Sequence, residues 1–233
     1  MLVAFAPFLA ELVSGSTPPQ AWILPQVVLI FMAIYGLSAL AIREFALRIK
    51  GGPATVFILG LAFGIVTEGM AAHSLFNPGW PDAGVLGSYG RWEGVNWLWT
   101  EWIVPFHAVW SISFPIFLTG RFWPDSRSVR FLSDRWLVGL APVPVVVAVV
   151  TGQVFAGYSL SWADWLGMGL ALVVLVIVAW RWVHGSVGGV HRQSGAGPHG
   201  WASGPPRRSS SGGRSGPGRP PSSVRTPRSG RSC

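Results

Sequence analysis

Long apolar runs separated by short polar stretches dominate the first four fifths of the chain. They predict membrane-spanning segments at residues 22–42, 54–76, 97–119, 136–156 and 163–183. Each is close to the roughly 20 residues that a helix needs to cross the hydrocarbon core. Each must be helical, because lipid offers no partners to backbone N–H and C=O groups. An additional apolar run at residues 1–13 is too short to span. It is expected to be an interfacial or re-entrant piece, or the end of a helix whose beginning is missing. The fold class is therefore all-α, an integral membrane bundle of about five transmembrane helices.

The loops between the spans set the orientation. Loop 43–53 holds Arg43, Arg48 and Lys50, and loop 120–135 holds Arg121, Arg127, Arg130 and Arg135, whereas the alternate side has only Arg91. Basic loops stay in the cytoplasm, so the N-terminus is expected outside and the C-terminus inside. Trp22, Trp97, Trp123, Trp136, Trp162 and Trp180 fall near predicted span ends, as an aromatic belt requires. Residues 77–96 form the one long outer loop. Its Gly and Pro density excludes a regular helix, and its Trp and Tyr89 content predicts a compact lid on the outer ends of the second and third spans.

Composition agrees with lipid as the solvent. Half of the 233 residues are hydrophobic and 11% are charged, against about 25% charged in soluble domains. The mean hydropathy is +0.45. The net charge of +8 lies entirely in the last 49 residues. Residues 185–233 hold eight Arg and neither an acidic residue nor a Lys, while residues 1–184 are balanced at nine basic and nine acidic. This divides the chain into a transmembrane domain, 1–184, and a disordered Gly/Ser/Pro/Arg-rich tail, 185–233, which has too few apolar residues to offset chain entropy. Two readings of the tail compete. It is either a basic cytoplasmic segment for anionic lipid headgroups or the product of a GC-rich gene read out of frame. Nucleic acid is not an expected partner, since Trp201 is the tail's only aromatic and stacking needs several.

The one cysteine, Cys233, excludes an internal disulfide and any Cys-based metal site. A cleavable signal peptide is not expected, for want of a basic n-region before the Leu2–Leu12 run. No phosphate loop, dinucleotide glycine pattern or nucleophile elbow is present, and no metal or other cofactor is called for.

Candidate chemistry rests on the polar residues inside the spans, because an ionisable group there is costly unless paired. At about 1.5 Å rise per residue, Glu68 lies roughly 12 Å in from the outer end of its span and His107 roughly 15 Å in from the outer end of the next. The two spans are antiparallel, so Glu68 and His107 can meet. His73 and Glu101 lie nearer the interface, and with them the pair would form an outward-opening polar cavity under the lid. Thr67 flanks Glu68, Ser111 shares the helix face of His107, and Trp97 stands at the cavity's rim. Pro105 and Pro115 free carbonyls near His107, and broken helices at membrane depth often line a cavity. Glu68 and His107 are the candidate catalytic pair; Thr67, His73, Glu101, Ser111 and Trp97 are candidate cavity residues. Against this stands a structural reading, in which the pair only holds two helices together. Asp164, just after Ser161 and Trp162, fits the first turn of a helix, and Arg43 beside Glu44 fits a snorkelling arginine.

Several motifs occur in order along the chain: Glu11 with Ser14-Gly15-Ser16-Thr17-Pro18-Pro19, Ile42-Arg43-Glu44, Glu68-Gly69, Phe76-Asn77-Pro78-Gly79-Trp80-Pro81-Asp82, Gly87-Ser88-Tyr89-Gly90-Arg91, Gly94-Val95-Asn96-Trp97 and His107-Ala108-Val109-Trp110-Ser111-Ile112. In these the chain resembles a group of uncharacterised multi-pass membrane proteins of bacteria and archaea, over residues 8–120. The resemblance implies a cell-membrane location and brings no activity. A weaker likeness is to the CPBP-type glutamic intramembrane proteases, with Glu68 matching a glutamate and His107 a histidine. Thr67 stands where that family pairs a second glutamate, and Ala72 where it has a basic residue. Three functions follow: a non-catalytic binding or scaffold role with the Trp-rich loop as partner surface, a membrane-embedded hydrolase using Glu68 as base, and a small-molecule or proton transporter. The transporter would need to be a homo-oligomer, since five spans show no internal repeat.

Overall fold

The computed structural model describes residues 1–193, so the tail's expected disorder lies largely outside the described residues. Among the described residues, five helices are long and apolar enough to cross a membrane. They follow a short helix, α1 (Leu2–Val13), and we number them α2 (Pro25–Arg48), α3 (Pro53–Ala71), α4 (Trp97–Phe122), α5 (Asp134–Phe155) and α6 (Trp162–His184). All five overlap the spans expected from hydropathy, but α2 runs on to Arg48 where an end at residue 42 is expected, α3 stops at Ala71 where an end at residue 76 is expected, and the helical path of α6 runs on to Gln193. Their starts follow local rules. Pro25 and Pro53 occupy first-turn positions, where a missing N–H costs nothing. Asn96 and Ser133 cap α4 and α5 by accepting from Trp99 N and Trp136 N. Ser161 and Asp164 cap α6 reciprocally: Asp164 Oδ2 accepts from Ser161 N at 2.8 Å, and Ser161 Oγ from Asp164 N at 3.2 Å. Asp164 is thus a capping residue.

Two apolar clusters hold the bundle. One joins α1 to the middles of α2, α3 and α4 through Leu2, Ala6, Ala10, Ile34, Tyr35, Phe63 and Ile112. The other lies under the long loop and includes Val66, Met70, Leu75, Phe76, Trp99, Val104 and Met168. Elsewhere α5 and α6 expose Val146, Val150, Val154, Val173, Val174 and Ile177. This apolar outer face would be ruinous in water and is ordinary against lipid. α1 does not lie apart from the bundle. Trp110 Nε1 donates to Leu9 O at 2.9 Å, and Gly36 lets its backbone close in, since a Cβ there would lie 2.1 Å from Val3 O.

Four π-helical stretches interrupt the α-helical winding: Phe8–Val13 in α1, Met32–Gly36 in α2, Val66–Ala71 in α3 and His107–Ser113 in α4. The first follows Pro7 directly, and the last begins two residues after Pro105. Pro105 supplies no N–H and crowds the carbonyl four residues earlier, and widening the next turn absorbs the mismatch. Such π-bulges recur at functional sites.

The loop between α3 and α4 is compact. It contains a 3₁₀ segment, Pro81–Gly87, and a hairpin pairing Arg91 with Asn96 and Trp92 with Val95. Glu93 and Gly94 close the hairpin at φ +51° and +77°, the two positive values a tight hairpin turn needs. Arg91 donates to the carbonyls of Phe76, Gly87 and Gly94. Asn96 bonds Leu86 O through its side chain and Leu75 O through its N–H. The loop is thereby tied to the end of α3 and the start of α4.

At the opposite end, Arg43 and Glu44 are both buried. The snorkelling expected of Arg43 does not occur, because the segment between α4 and α5 folds over it and supplies carbonyls. Arg43 donates to Ser126 O and Val129 O and lies 4.2 Å above the Phe131 ring. Glu44 accepts from Arg43 at 2.6 Å, Arg48 at 3.0 Å, Phe131 N at 3.1 Å and Leu132 N at 3.2 Å. A buried carboxylate is tolerable only when saturated in this way.

Candidate functional site

Gly60, Gly64 and Glu68 recur every four residues and so share one face of α3. A Cβ on Gly60 would lie 2.8 Å from Ala108 Cα, and one on Gly64 2.9 Å from Val104 O. Small residues at this spacing let two membrane helices touch backbone to backbone. The contact brings Glu68 onto α4 at His107, and Glu68 Oε1 lies 2.7 Å from His107 Nε2.

Both side chains are buried, and each is bonded at its second atom. Ser74 donates to Glu68 Oε2 and accepts from Trp99 Nε1 at 3.1 Å. His107 Nδ1 lies 2.9 Å from Ser111 Oγ. With Nε2 donating to the carboxylate, a neutral His107 accepts from the Ser111 hydroxyl at Nδ1. A single polar chain therefore runs Trp99, Ser74, Glu68, His107, Ser111, and aromatic rings close it in. Phe63, Phe106 and Tyr35 sit 5.9, 5.7 and 6.1 Å from the His107 ring.

A second carboxylate approaches from α1. Glu11, in its π-helical turn, accepts from Thr17 Oγ1 at 2.5 Å and faces the Tyr35 hydroxyl. Tyr35 in turn packs on Phe63 and His107. Each of the four π-helical stretches thus delivers polar side chains to this region: Glu11, Tyr35 and Glu68 from the first three, and His107 with Ser111 from the fourth.

The other expected cavity residues divide. Ser111 belongs to the chain. Thr67 is buried next to it, yet its hydroxyl returns to Phe63 O at 3.1 Å within α3. His73 is buried with φ +57° and bonds Tyr158 O at 2.6 Å through Nδ1, away from Glu68. Glu101 is exposed, and Trp97 is half exposed with its indole N–H on Trp92 O at 3.2 Å. Glu101 precedes His107 by six residues, about 240° around the helix, and so faces away. Of the four residues expected to line an outward-opening cavity, Glu68 and His107 meet in the buried core, while His73 bonds elsewhere and Glu101 lies at the surface. Two cavities between the helices, about 280 and 720 Å³, are lined by other residues. Among the described residues no group of three or more His, Cys, Asp or Glu is placed to hold a metal.

Sequence reasoning passed over Ser74, Trp99, Glu11 and Tyr35 as members of this region. The four-residue repeat Gly60, Gly64, Glu68 was the signal available, since it marks the face of α3 that meets a neighbour.

The model of an uncharacterized membrane protein family matches residues 1–196. The chain belongs to that family. The match to the uncharacterized membrane protein family takes in α1, all five spans, the α3–α4 loop and every residue of the polar region. It makes the chain a multi-pass membrane protein. The family carries no activity with it, and the match gives no support to the protease likeness. No curated protein and no solved structure matches the chain.

Proposed function

We propose that this protein has a non-catalytic binding or scaffold role in the membrane, with the Glu68–His107 pair as its internal lock and the α3–α4 loop as its contact surface. One observation carries the reading: both Glu68 oxygens are engaged, Oε1 by His107 at 2.7 Å and Oε2 by Ser74. A carboxylate acting as general base needs an oxygen within reach of the proton it takes, and here each oxygen faces a helix partner in a buried setting. Through Ser74 and Trp99 the pair instead fixes the base of the loop. The loop's far side presents Val85, Tyr89 and Trp92, all more than two thirds exposed. Aromatic residues of this kind are enriched in the cores of protein interfaces. The orientation in this reading follows the arginine bias, with the loop outside and the Arg43 and Arg127 end in the cytoplasm.

The experiment is site-specific photocrosslinking in native membranes, with the reactive side chain at position 89 or 92 and a control at the apolar outer-face position 174. A discrete protein adduct at 89 and 92, absent at 174 and retained with Glu68→Gln, supports the reading. Lipid adducts alone at all three positions would overturn it. So would hydrolysis of a labelled membrane substrate that disappears with Glu68→Gln.

A further inference from the structure

We infer that the cleft between α2, the start of α3 and α4, at the Arg43 and Arg127 end, binds one anionic phospholipid. The cleft measures about 720 Å³, within the range of small-molecule sites. Its long wall is α4, which contributes Val109, Phe114 and Phe117. From Val109 to Gly120 the wall is about 16 Å long, enough to lay down much of an acyl chain. Val109 and Phe117 are 50% and 65% exposed, so the wall is open to an apolar occupant.

Charge sits at one end only. Arg127 is exposed and donates through Nε to Gly120 O at 2.7 Å. That bond holds the guanidinium over the mouth of the cleft, and among the described residues no hydrogen bond or ion pair engages its terminal nitrogens. Arg43 also lines the cleft, but Glu44 offsets its charge and the carbonyls of Ser126 and Val129 occupy it. Arg127 is therefore the residue that meets the anion, and Arg43 holds the Ser126–Val129 backbone that carries it. A guanidinium presents a planar pair of donors matched to phosphate. A phosphate at the mouth with an apolar chain along the wall is the amphiphile that this polarity fits. The cleft opens between spanning helices, so bilayer lipid is the source at hand. The shared chemistry with a free phosphate is confined to the mouth.

Gly52 offers a clean way to fill the site. It lines the cleft, a Cβ there would meet nothing within 4 Å, and its φ of −97° suits any residue. The full-length chain in detergent is titrated with phosphatidylglycerol or phosphatidylcholine, and retained lipid is counted by native mass spectrometry. Wild type is expected to keep one phosphatidylglycerol in preference to phosphatidylcholine. Arg127→Glu should reduce that retention about tenfold or more, the loss expected when a charge-assisted contact is removed, and Gly52→Leu should reduce it as well by filling the space the acyl chain needs. Replacing all eight tail arginines by Gln should leave it unchanged. Equal retention of the two lipids overturns the proposal, as does retention unaffected in both cleft variants or lost with the tail arginines. Displacement of the lipid by millimolar inorganic phosphate would also overturn it, making the mouth a free-anion site.

Discussion

Gly64 packs against the backbone of Val104 with no room for a methyl group, since a Cβ on Gly64 would lie 2.9 Å from the Val104 carbonyl oxygen. Neither backbone can yield without moving a whole helix, and Glu68 meets His107 one turn further along the same face. Gly64→Ala is expected to cost about 1–3 kcal/mol, as overpacking does in tight cores, and Gly64→Val more. Thermal unfolding in detergent orders the series. If Gly64→Val melted with the wild type, the close approach of α3 and α4 would be wrong.

The pair itself should respond to polarity rather than to charge alone. Glu68→Gln keeps an oxygen to accept from His107 and an amide to meet Ser74. Glu68→Leu leaves His107 and Ser74 buried without that partner, at about 1–3 kcal/mol for each unsatisfied group. The Leu variant is therefore expected to unfold well below the Gln variant. A double-mutant cycle with His107→Ala should give a coupling energy of about 0.5–3 kcal/mol, the range for residues in contact. Additive losses would mean that the 2.7 Å bond does not contribute to holding the helices.

Much of this architecture was legible from hydropathy, because lipid enforces helices of one length and leaves few alternatives. The meeting of Glu68 with His107 was legible too, since depth along two antiparallel helices is fixed by the rise per residue. What depth could not give was azimuth. His73 and Glu101 have suitable depths and face elsewhere, one because the chain reverses at His73, the other because six residues carry it around α4. The π-helical turns were hidden for the same reason. Pro7 and Pro105 stand just before two of them, while those at Tyr35 and Glu68 follow no proline within the preceding turn. Arg43 and Glu44 were misread because an arginine at a span end ordinarily reaches for water, and the folding back of residues 123–133 depends on contacts more than 80 residues apart in sequence.

Glu44 is expected to be the most sensitive charged residue at that end. Removing one member of a buried ion pair strands the other and costs about 3–5 kcal/mol. Glu44→Ala should unfold accordingly early. In hydrogen exchange the amides of Phe131 and Leu132, which donate to its carboxylate, should lose protection. Asp134 also pairs with Arg48, at 2.8 Å, yet its side chain is 80% exposed. Exposed pairs contribute little, so Asp134→Asn should leave both the unfolding temperature and the protection unchanged. Equal effects from the two substitutions would contradict the buried network.

His73 ends α3 and thereby sets the geometry at Glu68. Its left-handed φ of +57° reverses the chain, so that Ser74 N donates to Glu68 O at 2.8 Å. That bond reaches one residue further back than in the usual glycine-capped helix end, as a π-helical last turn requires. The reversal places the Ser74 hydroxyl on Glu68 Oε2. A non-glycine residue in this conformation carries about 1–2 kcal/mol of strain, held in place by the imidazole's bond to Tyr158 O. His73→Ala keeps the strain and loses the bond; His73→Gly loses both. His73→Gly is therefore expected to be the more stable of the two by about 1 kcal/mol, in thermal unfolding. Were His73→Ala the more stable, the left-handed cap would not exist, and the placement of Ser74 on Glu68 would fall with it.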